Sequence, residues 1–216
     1  MDNTKLLQAV RDELAADPKI DSREVAVSLD PEGVVSLRGT VGSLRQRREA
    51  AEAAKRVYGV QEVKNSLDVR PLIGDRREDA VLRGEVLQAL TLNSLVPAGI
   101  DAKVRDGIVT LAGKVNWNFE REEAEATAGN VRGVRGIRSA LVLIPGAKSV
   151  DVKGAIEQAL TRNATIDSEG VSVETSDGKV TLSGFVSSWA ARDAAIEAAW
   201  SVPNVTHVED HIGIRY

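Results

Sequence analysis

His207 and His211 are the only histidines among the 216 residues, and histidine is the side chain whose ordinary pKa lies closest to neutral pH. They fall four apart in the alternating run Val208, Asp210, Ile212, Ile214, which places both on one face of a strand. At ~3.3 Å per residue their separation is about 13 Å, whereas zinc ligands sit about 2 Å from their metal. They cannot share one ion, and no nucleophile or acid is marked beside either, so exposed strand positions are the plainer reading. The absence of cysteine removes disulfides, iron–sulfur clusters and thiolate zinc sites. No G-x-G-x-x-G, phosphate-binding loop, nucleophile elbow or H-E-x-x-H occurs. No catalytic residue, metal ligand or cofactor is therefore assigned.

The side chains suited to binding are arginines and aromatics. Arg47, Arg121 and Arg192 occupy one position of a thrice-repeated unit, four residues after Ser43, Trp117 and Ser188. Three guanidinium groups near helix starts could grip lipid phosphates. The alternative is pairing with carboxylates such as Glu49 or Asp193, or packing of the arginine stems on a sheet. Trp117 and Phe119 follow a strand of the second unit, Trp189 sits at the matching junction of the third, and Trp200 lies near that unit's helix end. The first unit has Leu44 there instead. Tryptophan at an exposed loop–helix junction suits a membrane interface or a partner pocket, and packing between neighbouring units is the alternative. Gly133-Val134-Arg135-Gly136 spells the G-x-x-G that clamps RNA backbone in some domains. It enters a strand and has no match in the other two units, so a helix-to-strand turn is expected.

The elements that must position these groups come in triplicate. Gly33-Val34-Val35-Ser36-Leu37-Arg38-Gly39-Thr40-Val41 recurs from Gly107 to Val115 and from Gly178 to Val186 as G-x-V-[S/T]-L-x-G-x-V. Val60, Val134 and Val205 follow at constant spacing, then Val63, Ile137 and Val208. Each unit reads as helix, strand, strand, helix, strand. Apolar residues four apart mark the first helices: Leu6, Val10, Leu14; Leu82, Val86, Leu90; Val152, Ile156, Leu160. Arg105-Asp106-Gly107 and Ser176-Asp177-Gly178 are hairpin signals, and Asp30-Pro31-Glu32-Gly33 is a longer version. The second helices carry small inward residues: Ala50, Ala54; Ala124, Ala128; Ala195, Ala199. The alternation also puts Gly39, Gly113 and Gly184 on the packed face, where close approach of a helix is the expected reason.

The expected units are residues 1–72, 73–146 and 147–216, joined by Pro71 to Arg77 and by Pro145 to Ser149. Units this small bury modest cores, so they are expected to pack on one another. The formal net charge is −4, which argues against general nucleic-acid binding. The excess lies in residues 148–216, with 6 basic and 10 acidic side chains. An acidic third unit is a poor face for anionic lipid, so membrane contact, if used, belongs to the first two. No apolar run approaches the ~20 residues of a membrane span.

The repeated unit resembles the BON domain (bacterial OsmY and nodulation). The resemblance rests on the element order, the G-x-V-[S/T]-L-x-G-x-V strand, the glycines at 39, 113 and 184, and Gly59-Val60 and Gly133-Val134. Asn204-Val205 replaces the last pair in the third unit, and Asn also tolerates a left-handed backbone. The resemblance implies an α+β fold of three tandem αββαβ units, each a small mixed three-stranded sheet backed by two helices. It implies a non-enzymatic, stress-associated role, either on phospholipid surfaces or as a protein-interaction or chaperone-like scaffold. Arg47, Arg121, Arg192, Trp117, Phe119 and Trp189 are the expected contact residues, and Gly39, Gly113 and Gly184 the structural ones. The opening Met1-Asp2-Asn3-Thr4-Lys5-Leu6-Leu7 lacks a secretory signal. Taken as a native start it implies the cytoplasm; as a trimmed mature form, the periplasm.

Overall fold

The computed structural model describes residues 3–30, 33–72, 74, 77–144, 151–163 and 170–215. The whole Pro145 to Ser149 link, parts of the first link and of the Asp30–Gly33 turn, and both expected unit boundaries lie outside these residues.

Each repeat opens with the amphipathic helix its apolar spacing predicts: α1 (Asn3–Ala16), α3 (Asp79–Leu92) and α5 (Val152–Arg162). Leu6, Val10 and Leu14, then Leu82, Val86 and Leu90, then Ile156 and Leu160 are buried along one stripe. A hairpin follows: β1 (Val25–Leu29) with β2 (Val34–Val41), β4 (Asp101–Arg105) with β5 (Ile108–Val115), and β7 (Val171–Ser176) with β8 (Lys179–Val186), all antiparallel. Asp106-Gly107 and Asp177-Gly178 all have positive φ. That is the left-handed pair a two-residue turn needs to match strand twist. The second helices are α2 (Leu44–Lys55), α4 (Asn118–Gly129) and α6 (Trp189–Trp200). They lead to β3 (Glu62–Val69), β6 (Gly136–Leu143) and β9 (His207–Ile214). β3 and β9 run parallel to β2 and β8, so the hairpin strand is central in each mixed sheet, in the orders β1-β2-β3, β4-β5-β6 and β7-β8-β9. The turn after each second helix has positive φ at Gly59, Gly133 and Asn204.

Alanines of the second helices are fully buried, among them Ala50, Ala54, Ala124, Ala128, Ala195 and Ala199. The glycines of the central strands have a different reason from the expected one. Gly39 and Gly184 take φ of 118° and 122°. A Cβ there would overlap the carbonyl oxygen of Glu24 or Gly170, at the start of the adjoining antiparallel strand. The close approach is therefore strand to strand, not helix to sheet.

The chain falls into two compact bodies, Met1–Ala112 with Glu123–Ala140, and Gly113–Glu122 with Leu141–Tyr216. The division cuts the second repeat, and the first turn of α4 goes with the third. Within the first body, Arg48 of α2 donates to the Asn130 side chain just past α4, at 3.0 Å. Arg135 donates to the Val69 carbonyl at the end of β3, at 3.2 Å. In the first repeat, Arg56 at the end of α2 bridges Glu13 at 2.8 Å and Asp17 at 2.9 Å.

Candidate functional site

The site begins with a missing cap. A helix leaves its first N–H groups unsatisfied, and a serine just before it normally accepts one. Ser43 accepts from the Gln46 N–H and Ser188 from the Ala191 N–H, each at 3.2 Å. The equivalent residue before α4 is Trp117, whose indole has no acceptor oxygen. Glu120 accepts from the Asn116 and Trp117 N–H groups at 2.7 and 3.2 Å, the back-bond of a capping box that Gln46 also makes, from the Gly42 N–H at 3.1 Å. Losing a serine cap costs a helix about 1 kcal/mol. The replacement puts an indole at the surface: Trp117 is 37% exposed, and Phe119 two residues on is 52% exposed.

Between them, Asn118 is 3% exposed, the one buried polar or charged residue among those described. Its amide donates to Glu122 at 2.6 Å and its oxygen accepts from the Arg121 guanidinium. This pairing holds the first turn of α4 in shape. Facing it is one stripe of α6: Asp193, Ile196, Glu197 and Trp200, at the i, i+3, i+4, i+7 spacing of a single helix face. Trp200 and Ile196 also rest against the core of the third repeat, which fixes that wall. The Arg121 guanidinium lies 5.0 Å from the Trp200 ring centroid, in cation–π range. The two walls enclose a groove of about 680 Å³. Its lining is apolar, from Trp117, Phe119, Ile196 and Trp200, and carries the carboxylates of Glu122, Asp193 and Glu197.

The structure thus brings Trp117, Phe119 and Arg121 together and sets Trp189 apart. Trp189 is the first residue of α6, one position later than Trp117 in the repeat, and packs against the third core. Arg192 lies 4.9 Å from its ring. The three equivalent arginines have three fates, set by the residue 18 positions on. Arg192 donates to Asp210 at 2.7 Å. Arg47 reaches the Asn65 carbonyl at 3.4 Å, while the Asn65 amide donates to the Arg47 carbonyl at 2.6 Å. Ser139 occupies the third such position, and Arg121 turns to Asn118 and Trp200. The partners of Arg47 and Arg192 are on the third strand, and Glu49 is met by Lys19 at 3.1 Å.

Ile196, Glu122 and Glu197 were not marked by sequence reasoning, and Asp193 only as a carboxylate that could pair with an arginine. The signal was present in the aligned repeats, where Trp117 replaces Ser43 and Trp200 replaces Gly129. A second, polar cavity of about 620 Å³ lies in the first body, lined by Arg70, Arg77 and Arg135 with Asp79 and Asp106. The Asp79 carboxylate is engaged by the N–H groups of Asp106 and Gly107, at 2.8 and 3.0 Å. His207 lies 3.8 Å from Glu209, which Lys179 contacts at 2.6 Å and holds below the usual carboxylate pKa.

The BON domain profile matches residues 2–71, 78–145 and 149–216. "Osmotically-inducible protein Y" of Escherichia coli (strain K12) is 31% identical over 150 residues, covering 65% of this chain and 72% of that protein. Two solved structures of CdsD, a structural protein of the type III secretion system of Chlamydia trachomatis, align over 98% and 100% of this chain and 92% and 100% of theirs. Their identities are 14% and 13% and both TM-scores are 0.27, a level that supports no structural equivalence. Among the described residues, no helix is long and apolar enough to cross a membrane.

Proposed function

The chain belongs to the BON domain family, three domains in succession, and from that premise we propose that it is a stress-associated protein that works by contact, holding polypeptide partners in the groove between α4 and α6. The observation that carries this reading is the exposed pair Trp117 and Phe119 at a helix start stripped of its serine cap. Local stability is given up there for apolar surface, the pattern expected of a site under functional demand. Aromatic side chains lining a concave, partly apolar surface are the usual anchors of protein recognition. The likeness to an osmotically inducible protein supports the association with stress.

The test replaces both aromatics by the residues of the first repeat, Trp117→Ser with Phe119→Arg. Wild-type protein is expected to suppress light scattering by aggregating insulin B chain, and the double variant to lose most of that effect while keeping its far-UV circular dichroism. Equal suppression by both proteins would remove the groove from the function.

A second reading, contact with phospholipid, is favoured by the cavity lined by Arg70, Arg77 and Arg135. Guanidinium groups match phosphate oxygens in fork geometry. The cavity lies in the repeats without the acidic excess. Arg47 and Arg192 are turned to the third strands, so this reading leans on the other trio. Cosedimentation with phosphatidylglycerol-containing vesicles at low salt, lost in Arg70→Glu with Arg135→Glu, is its expected result. No sedimentation with such vesicles would end it.

A further inference from the structure

We propose that the occupant of the α4–α6 groove is a basic amphipathic segment of a partner protein: one large apolar side chain seated among Trp117, Phe119, Ile196 and Trp200, flanked by Lys or Arg that meet Glu122, Asp193 and Glu197. The inference deepens the protein-contact reading and rests on it. Its ground is charge complementarity. Three acidic residues and, among the described residues, no Lys or Arg line the apolar floor, and the guanidinium of neighbouring Arg121 is turned onto Trp200 and the Asn118 oxygen. The repeat that supplies α6 holds the chain's whole acidic excess. An anionic lipid or a nucleic acid would meet the like charge of Glu122, Asp193 and Glu197, which costs affinity. A cation beside the seat gains twice, from the carboxylates and from the indole faces. At about 680 Å³ the groove holds a few side chains, the size of a short segment rather than a domain face.

The closing experiment titrates the full chain with three 12-residue peptides sharing the same leucine and phenylalanine anchors and flanked by lysine, serine or glutamate. Tryptophan fluorescence and calorimetry are read at low and at moderate salt. The lysine peptide is expected to bind about tenfold more tightly than the serine peptide, with the difference shrinking as salt screens it. Glu197→Lys, at an exposed position on α6, is expected to weaken the lysine peptide about tenfold and to strengthen the glutamate peptide. Glu122→Lys on the opposite wall repeats the test independently of any effect on α6, with Glu122→Gln, which keeps an acceptor for the Asn118 amide, as the control for the shape of the helix start. Equal binding of lysine and serine peptides, or indifference of both to these charge reversals, overturns the inference. If all three peptides bind alike and Trp117→Ser abolishes binding, the groove reading survives and only the basic occupant falls. If Trp117→Ser changes neither peptide binding nor aggregation suppression, the reading beneath it falls too. Saturable self-association that depends on Trp117 would make a second copy the occupant and likewise overturn the inference.

Discussion

The helix α2 meets the end of α4 in the first body, and α4 meets the end of α6 in the second, through equivalent positions of the repeat. At the first meeting the side chains are Leu44 and Arg48 against Gly129 and Asn130. A Cβ on Gly129 would already stand 3.2 Å from Leu44 and 3.4 Å from Arg48. The contact is closed and the arginine is tied to Asn130. At the second meeting the same four positions read Asn118, Glu122, Trp200 and Ser201, with Trp117 and Phe119 in place of Ser43 and Arg45. There the contact is an open, acid-lined groove. One helix-end geometry therefore gives either a closed joint or an open groove. Among the positions that differ, the end of the partner helix changes most in size, from glycine at 129 to tryptophan at 200. Glycine lets the neighbouring leucine in; an indole takes up the space and leaves a seat beside it.

The largest effect should come from breaking the closed joint. Gly129→Leu in α4 forces Leu44 and Arg48 to move. Overpacking of this kind costs about 1–3 kcal/mol, partly offset by about 1 kcal/mol of helix propensity regained over glycine. A net fall in stability is expected, read as a lower denaturant midpoint by circular dichroism. An unchanged or higher midpoint would mean that the first joint has slack, and the contrast with the second would lose its basis.

Next in size is the cap. Trp117→Ser puts a serine hydroxyl three residues before Glu120 and so completes a capping box on α4; Trp117→Ala removes the indole without supplying a cap. The serine variant should be more stable than the alanine variant by about 1 kcal/mol, while both lose the groove's aromatic wall. Comparing the two isolates the cap from the lost packing. Equal stability of the pair would show that a serine hydroxyl adds nothing to this helix start.

Much of the architecture could be read in the residues. The stripes Leu6-Val10-Leu14 and Leu82-Val86-Leu90, the Asp-Gly turns and the small residues of the second helices all act locally, at spacings a helix or hairpin imposes. The glycines at 39 and 184 were marked, but their reason was not. A clash with the carbonyl oxygens of Glu24 and Gly170 depends on strand register, which the central strand alone does not contain. The partners of Arg47 and Arg192 lie 18 residues on, across a helix and a turn. The groove needs two helices from different repeats, so no window of sequence holds it. Trp117 and Trp189 look alike in composition, yet one position of offset sends the first outward and the second onto a core.

An effect of similar size separates the equivalent arginines. Arg192 and Asp210 are each 22% exposed in their side chains, and Asp210 also accepts from the Ile212 N–H at 2.9 Å. Arg192→Ala leaves that carboxylate half-buried without its cation, at a cost of about 1–2 kcal/mol, between exposed and buried pairs. Arg47→Ala removes only a long bond to a neutral carbonyl, about 0.5 kcal/mol, because the Asn65 amide still reaches the backbone of residue 47. Equal costs would mean that charge adds nothing at the third repeat.

The smallest effect is the response to acid. Asp21 is held at about 2, first by the side-chain hydrogen bond from Arg23 and then by its backbone N–H. Asp17 lies below its usual value through the Lys19 backbone N–H and then Arg56, and Asp101 through the Ala102 N–H and then Arg83. In the second body Glu209 is lowered by Lys179. A carboxylate with a depressed folded-state pKa contributes stability that is complete above its unfolded value. That contribution is lost as pH falls through the folded one. For Asp21 the window runs from 3.8 down to about 2. Asp21, Asp101 and Glu209 stand open to water and salt, which keep their contribution small, whereas the Asp17 side chain is 8% exposed beneath Arg56. All three tryptophans, at 117, 189 and 200, belong to the second body. Tryptophan fluorescence therefore follows that body alone, while circular dichroism follows both. Between pH 6 and pH 2.5 the dichroism midpoint should fall further than the fluorescence midpoint, since three of these four carboxylates lie in the first body. The reverse order would mean that the open groove, not the closed joint, sits in the half of the chain more dependent on its charges.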